Sequence, residues 1–75
     1  MGTINIFYSD GSELKLSLNH SLNGIIFTNV SDMYGYLKEL AQHDNCVEIS
    51  QKNSMNNPSK LIFFHHINEI VYKDI

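Results

Sequence analysis

One segment of the chain has the spacing of an amphipathic helix, whereas the other apolar stretches have the two-residue period of strands. The helical stripe consists of Val30, Met33, Tyr34, Leu37, Leu40 and Ala41. Ser31 is a favourable N-cap, Asp32 suits the positive end of the helix dipole, and we expect the helix to end near His43 to Asn45. Gly35 interrupts the stripe, and we expect it to be tolerated rather than to mark a close approach to a sheet.

The first two strands are predicted to form a hairpin. Apolar residues alternate over 4–8 and again over 14–18, on either side of an Asp-Gly pair. A two-residue turn would place the two apolar stripes on opposite faces of the hairpin. A three-residue loop over 9–11, with its glycine in the left-handed position of a G1 bulge, pairs Ile6 with Leu14 and keeps the stripes on one face, so we predict the bulged turn.

Four further strands are predicted from the same alternation. They cover residues 25–28, 46–50, 60–65 and 69–74. Residues 19–24 are rich in turn formers, and the polar stretch 51–59 contains the single proline, so both are predicted to be loops. Strands two and three are expected to pair antiparallel. The order β-β-β-α-β-β-β predicts one α+β domain over residues 1–75, a small, mainly antiparallel sheet with one helix packed on one face, with the option of curling toward a barrel.

Three of the predicted strands are apolar on both faces, namely those over 25–28, 60–65 and 69–74. A single helix can cover only one face of a sheet, so something else has to cover the second. Two coverings are open: the sheet closes into a small barrel, or a second subunit or partner packs on the open face. We favour the second, because a chain of 75 residues with one cysteine has no disulfide to stabilise its small core.

The sequence contains no pattern typical of catalysis or metal binding. His43-x-x-Cys46 with His65 and His66 could supply zinc ligands, but adjacent residues on a strand point to opposite faces, so at most one of the two adjacent histidines could join such a site easily. Cys46 lacks the surroundings of a reactive thiol, and the carboxylates and glycines are dispersed. We therefore expect no enzyme activity, no metal and no cofactor. The net charge of −3 and the absence of arginine argue against nucleic acid as a partner.

Candidate contact residues come from the aromatic surplus and from the polar loop. Tyr36 lies off the helical stripe, and Phe64 and Tyr72 belong to strands that are apolar on both faces. Asn53 and Asn56 lie in the loop 51–59, which is a candidate recognition segment as well as a plain connector. These five residues are the predicted partner-binding set.

These features together predict a small non-enzymatic protein-binding module. We expect a regulator or inhibitor, of bacterial or phage origin, that acts as a homodimer through its sheet and binds an unidentified protein. The alternative is a protein that binds a small ligand or nucleotide at a site between subunits. A cytoplasmic location is expected, since the sequence shows neither a signal-peptide pattern nor an apolar run long enough to span a membrane.

Overall fold

The computed structural model describes residues 2–51 and 59–74. The elements in chain order are β1 (Gly2–Tyr8), β2 (Glu13–Leu16), β3 (His20–Leu22), β4 (Ile25–Ile26), α1 (Val30–His43), β5 (Cys46–Gln51), β6 (Lys60–Phe63), a 3-10 helix (Phe64–His66) and β7 (Ile67–Asp74). The predicted α+β class, with one helix and antiparallel strands, is confirmed. The strands form two sheets rather than one, in the orders β2-β1-β7 and β4-β3-β5-β6.

The two sheets and the helix share one core. Its buried members are Ile4, Ile6, Leu16, Leu22, Val30, Met33, Leu37, Leu40, Val47, Ile49 and Ile62. The helix packs against β1 and β7 of the first sheet and against β5 of the second, so it covers parts of both sheets instead of one face of a single sheet. Within the described residues the sheets do not join into a closed barrel, so the less favoured of the two coverings, barrel closure, is not found.

The first hairpin has the predicted register. Ile6 lies opposite Leu14. The turn closes through the amide of Gly11, which donates to the carbonyl of Tyr8 over 3.0 Å, and the amide of Tyr8, which donates to the carbonyl of Ser12 over 2.9 Å. Gly11 has a φ of +94°, the left-handed conformation that the bulged turn requires.

The segment between the hairpin and the helix differs from the prediction. Residues 20–22, expected to be a loop, form β3, and the predicted third strand shrinks to the two residues of β4. Strand β4 pairs with β3 and not with β2. Asn23 and Gly24 join them with φ values of 52° and 80°, as in a two-residue type I′ hairpin. Residues 20–26 form this short hairpin in place of the predicted loop and longer strand, because both central residues, Asn23 and Gly24, tolerate positive φ.

The helix has the predicted apolar stripe, apart from Ala41, and the predicted C-terminal end, but it begins earlier than expected. Asn29, not Ser31, is the N-cap, and its Oδ1 accepts a hydrogen bond from the Asp32 amide over 2.8 Å. Starting at Val30 keeps that side chain in the buried stripe. Ala41, the last member of the predicted stripe, is exposed.

The end of the chain crosses from one sheet to the other. Strand β6 pairs with β5, the 3-10 helix Phe64–His66 follows directly, and β7 pairs with β1. The amide and the hydroxyl of Ser9 both donate to the carbonyl of His66, over 2.9 and 3.0 Å, and so attach the β1–β2 turn to this crossing. The predicted loop 51–59 lies outside the described residues over 52–58.

We predict that Gly35→Ala stabilises the fold by about 1 kcal/mol, the helix-propensity difference between the two residues. An added Cβ at Gly35 meets no atom within 4 Å, which agrees with the expectation that this glycine is merely tolerated. As a control, Gly11→Ala has equal space around it but a positive φ, so it should destabilise by about 1–2 kcal/mol. Urea denaturation measures both changes, and equal effects at the two sites would contradict the prediction.

Candidate functional site

The outer face of the four-stranded sheet exposes two large apolar side chains of β6. Cross-strand pairing sets Val47 opposite Ile62, and both side chains are buried in the core. Because side chains alternate along a strand, Leu61 and Phe63 point to the other face, where they are 54% and 39% exposed. Cys46, which lies opposite Phe63, is half-buried. We call Cys46, Leu61 and Phe63 the β6 strip.

The two histidines of the 3-10 helix extend the β6 strip at one end. The ring centroid of Phe63 lies 5.9 Å from that of His65 and 6.1 Å from that of His66. The two imidazoles are 4.1 Å apart. The strip therefore ends in a cluster of three rings, of which the imidazoles supply polar groups beside an apolar surface.

Strand β6 is an edge strand, and its outer edge carries unpaired backbone groups. The amide of Phe64 donates to the carbonyl of Asn45 over 2.8 Å, which continues the β5–β6 ladder by one pair. Hydrogen-bonded pairs alternate along an antiparallel ladder, so the backbone groups of Ile62 face β5. The N–H and C=O groups of Leu61 and Phe63 face away from β5, on an edge that pairs with no other strand among residues 2–51 and 59–74.

A cleft of about 410 Å³ lies between this edge and the β1–β2 turn. We call it the Tyr8 cleft; it is lined by Tyr8, Ser9, Asp10, Ser12, Lys60, Leu61, Ile62, Phe63 and His66. The hydroxyl of Tyr8 is buried and has no hydrogen-bond partner within the described structure. A buried hydroxyl without a partner is unfavourable, so this group is available to a ligand or a partner that supplies one.

Two titratable groups at the Tyr8 cleft have shifted pKa values. Burial raises the pKa of the Tyr8 phenol, and the nearby Asp10 carboxylate adds to the rise because it opposes a second negative charge. The pKa of Asp10 is lowered, first by the hydrogen bond from the Ser12 hydroxyl and then by that from the Ser12 amide, over 2.6 and 2.9 Å. At neutral pH the cleft therefore holds a neutral phenol beside an ionised carboxylate.

The predicted contact residue Tyr36 lies on the side of the helix that faces β3 and β4. Its hydroxyl accepts a hydrogen bond from Asn23 Nδ2 over 3.0 Å, and its ring centroid lies 5.5 Å from that of Phe27. Asn23 also exchanges hydrogen bonds with the backbone of Glu48, over 2.8 and 2.9 Å. Tyr36 thus has structural partners in the chain, and a contact role for it stays a prediction.

Phe64 and Tyr72 lie on the side of the helix that faces β7, on which Tyr34 also lies. Tyr72 stacks on Tyr34 with a centroid distance of 5.0 Å, and Phe64 lines a groove between the helix and β7 that Tyr34 also lines. Both predicted residues are half-buried. Asn53 and Asn56 lie outside the described residues. The structure therefore places Phe64 near the C-terminal end of the helix, Tyr72 near its N-terminal end, and Tyr36 apart from both.

The sequence did not lead to Leu61 and Phe63 as contact residues, although both are exposed in the structure. Leu61 and Phe63 were recognised as part of a strand apolar on both faces, but aromatic surplus led to Phe64 instead. The alternation with Ile62 was the signal that could have found them, since one of the two faces had to be outermost. Ile25 and Ile26, on the opposite edge strand β4, are also exposed.

The residues considered for a metal site do not converge. Within 2–51 and 59–74, no three His, Cys, Asp or Glu side chains form a group that could hold a metal ion. No helix in the same ranges has the length and apolar character needed to cross a membrane.

Comparison with known proteins finds no matching family model, no matching curated protein and no matching solved structure. Function is therefore inferred from the chemistry of the chain itself.

We predict that Tyr8→Phe stabilises the fold by about 1 kcal/mol at neutral pH, because it removes a buried hydroxyl that has no partner. The raised pKa adds a second effect: above pH 10 the unfolded chain loses its Tyr8 proton more readily than the folded chain, so wild-type stability falls and the variant lacks this contribution to the fall. Urea denaturation at neutral and alkaline pH measures both effects.

Tyr36→Phe is the matched control, because it deletes a hydroxyl that has a partner. It should destabilise by about 0.5–1 kcal/mol. Destabilisation of the same size by Tyr8→Phe would show that the Tyr8 hydroxyl has a partner after all.

Proposed function

We propose that this chain is a small non-enzymatic protein-binding domain, a regulator or inhibitor that acts as a homo-oligomer through the β6 strip. The observation that carries the proposal is the exposure of Leu61 and Phe63 side by side on the outer face of a sheet whose inner face is already filled. Neighbouring exposed apolar side chains of this size are typical of surfaces that bind another protein. Location in the cytoplasm, where the free thiol of Cys46 stays reduced, completes the proposal.

The energetics favour a weak association through these side chains alone. Full burial of a Leu or Phe side chain contributes about 1.5–3 kcal/mol, and Leu61 and Phe63 each have roughly half of that left to gain. Two copies contribute four such side chains, or about 3–6 kcal/mol, against an association entropy of about 4–15 kcal/mol. At the most favourable ends of these ranges the net gain is about 2 kcal/mol, a Kd of tens of millimolar, so self-association at micromolar concentration requires further contacts between the copies.

We predict that Leu61→Lys weakens self-association at least about tenfold, the effect of roughly 1.4 kcal/mol of lost contact, because a charge would enter the contact surface. Sedimentation velocity over a series from low to high micromolar measures the change, with circular dichroism as a check of folding.

Ile26→Lys is the matched control. Ile26 is 57% exposed and Leu61 54%, both on the outer face of the same sheet, but Ile26 lies on the opposite edge strand. It should leave self-association unchanged. A wild-type chain that is strictly monomeric at high micromolar concentration would remove the homo-oligomer from the proposal.

A second candidate function, binding of a small ligand, is favoured by the Tyr8 cleft. Tyr8 lines the cleft together with Lys60 and His66, side chains able to contact a polar molecule. Native mass spectrometry of freshly purified protein tests this candidate. A bound small molecule that is lost in Tyr8→Phe supports it, and an unliganded mass in both proteins counts against it.

A further inference from the structure

We infer that β6 pairs with β6 of a second copy, antiparallel across a two-fold axis at Ile62, so that Leu61 lies opposite Phe63 of the partner subunit. The inference rests on the proposed function and specifies its partner and its geometry. It would join the two four-stranded sheets into one continuous sheet across the dimer.

The free edge of β6 differs in composition from both edges of the three-stranded sheet, and it is longer than β4, the two-residue apolar edge strand on the other side of its own sheet. Edge strand β2 carries Glu13 and Lys15, and β7 carries Glu69, Lys73 and Asp74. Charges of this kind protect an edge against pairing with another chain. Strand β6 has only Lys60, at its start, followed by Leu61, Ile62 and Phe63. An exposed apolar edge without such protection is a template for an additional strand.

The backbone of β6 restricts how two copies can pair. In each copy Leu61 and Phe63 direct N–H and C=O groups outward, whereas Ile62 bonds to β5. Two identical strands can therefore pair only in registers that set outward-facing residues opposite one another. A register centred on Ile62 sets Leu61 opposite Phe63 of the partner subunit and Phe63 opposite Leu61 of the partner subunit. Each of these pairs makes two hydrogen bonds, and no outward group of the two residues is left unpaired.

Two other symmetric registers also pair outward-facing residues. The register centred on Phe63 sets Leu61 opposite His65, outside β6, and the register centred on Leu61 pairs Leu61 with its own copy and leaves Phe63 opposite Ser59. The register centred on Leu61 thus carries Phe63 beyond the apolar residues of the second strand. The register centred on Ile62 also sets the Leu61 and Phe63 side chains against each other on the outer face, where cross-strand apolar pairs stabilise a sheet. Lys60 then lies opposite Phe64, so no two like charges face each other. The backbone groups, side chains and charges of β6 are thus complementary to those of a second β6. We therefore identify a second copy of the chain as the partner that binds this edge.

Cysteine cross-linking tests the register. In a Cys46→Ser background, Leu61→Cys and Phe63→Cys proteins are mixed under mild oxidation. Opposed residues of a hydrogen-bonded pair lie about 5.5 Å apart at Cα, within the range that a disulfide spans. We expect the mixed disulfide between the two variants to predominate over either homodimeric disulfide. Predominance of the Leu61→Cys homodimer, or cross-linking no greater than that of a Lys15→Cys control on the other sheet, overturns the inference.

Proline substitution tests the edge without cysteine chemistry. Leu61→Pro removes an outward N–H and should keep the monomer fold while weakening self-association at least tenfold more than Leu61→Ala, which removes the side chain but keeps the N–H. Ile62→Pro removes an N–H that bonds β5 and should unfold the chain. Sedimentation and circular dichroism provide the readouts. Equal association of the proline and alanine variants at position 61 counts against strand pairing.

The two proposals fail in different ways. If Leu61→Lys weakens association but neither the mixed disulfide nor the proline effect is found, the β6 strip is a contact surface without strand pairing, and only the inference made here is overturned. If the wild-type chain is monomeric at high micromolar concentration, the inference and the homo-oligomer fall together.

Discussion

The structure depends on the burial of one apolar row from each sheet against a single helix. Ile4 and Ile6 at the centre of β1 have no exposed surface, and Val47 and Ile49 of β5 meet them from the second sheet through the shared core. Because side chains alternate along a strand, filling the inner face fixes which residues point outward. The exposure of Leu61 and Phe63 is thus a consequence of burying Ile62, and the candidate site follows from the packing of the core.

Most local features could be predicted from the sequence, because they are set by residues close together in the chain. The bulged hairpin followed from the faces of two adjacent stripes, and the helix from its spacing. The division into two sheets could not be predicted, because it depends on β7 leaving its neighbour β6, which pairs with β5, and pairing instead with β1 at the other end of the chain. The second sheet covers much of the apolar strand surface that a single helix could not.

Only part of the candidate site could be predicted from the sequence, for the same reason. A strand that is apolar on both faces, such as β6, was identified correctly, but which face is outermost depends on the whole fold. Aromatic type alone favoured Tyr36 and Tyr72, whose rings find partners inside the chain in Phe27 and Tyr34. Exposure therefore separates Leu61 and Phe63, together with Ile25 and Ile26 of β4, from the other large apolar residues where residue type does not.

The attachment of Ser9 to the carbonyl of His66 continues the β1–β7 ladder by one pair beyond Tyr8 and Ile67, into the 3-10 helix that crosses between the two sheets. The amide proton of Ser9 lies in an exposed turn, yet its bond crosses 57 residues of sequence. Its exchange with solvent deuterium consequently reports on the opening of the β1–β7 ladder at the end where the chain crosses from the other sheet. A single resonance can thus monitor the integrity of the crossing beside the Tyr8 cleft.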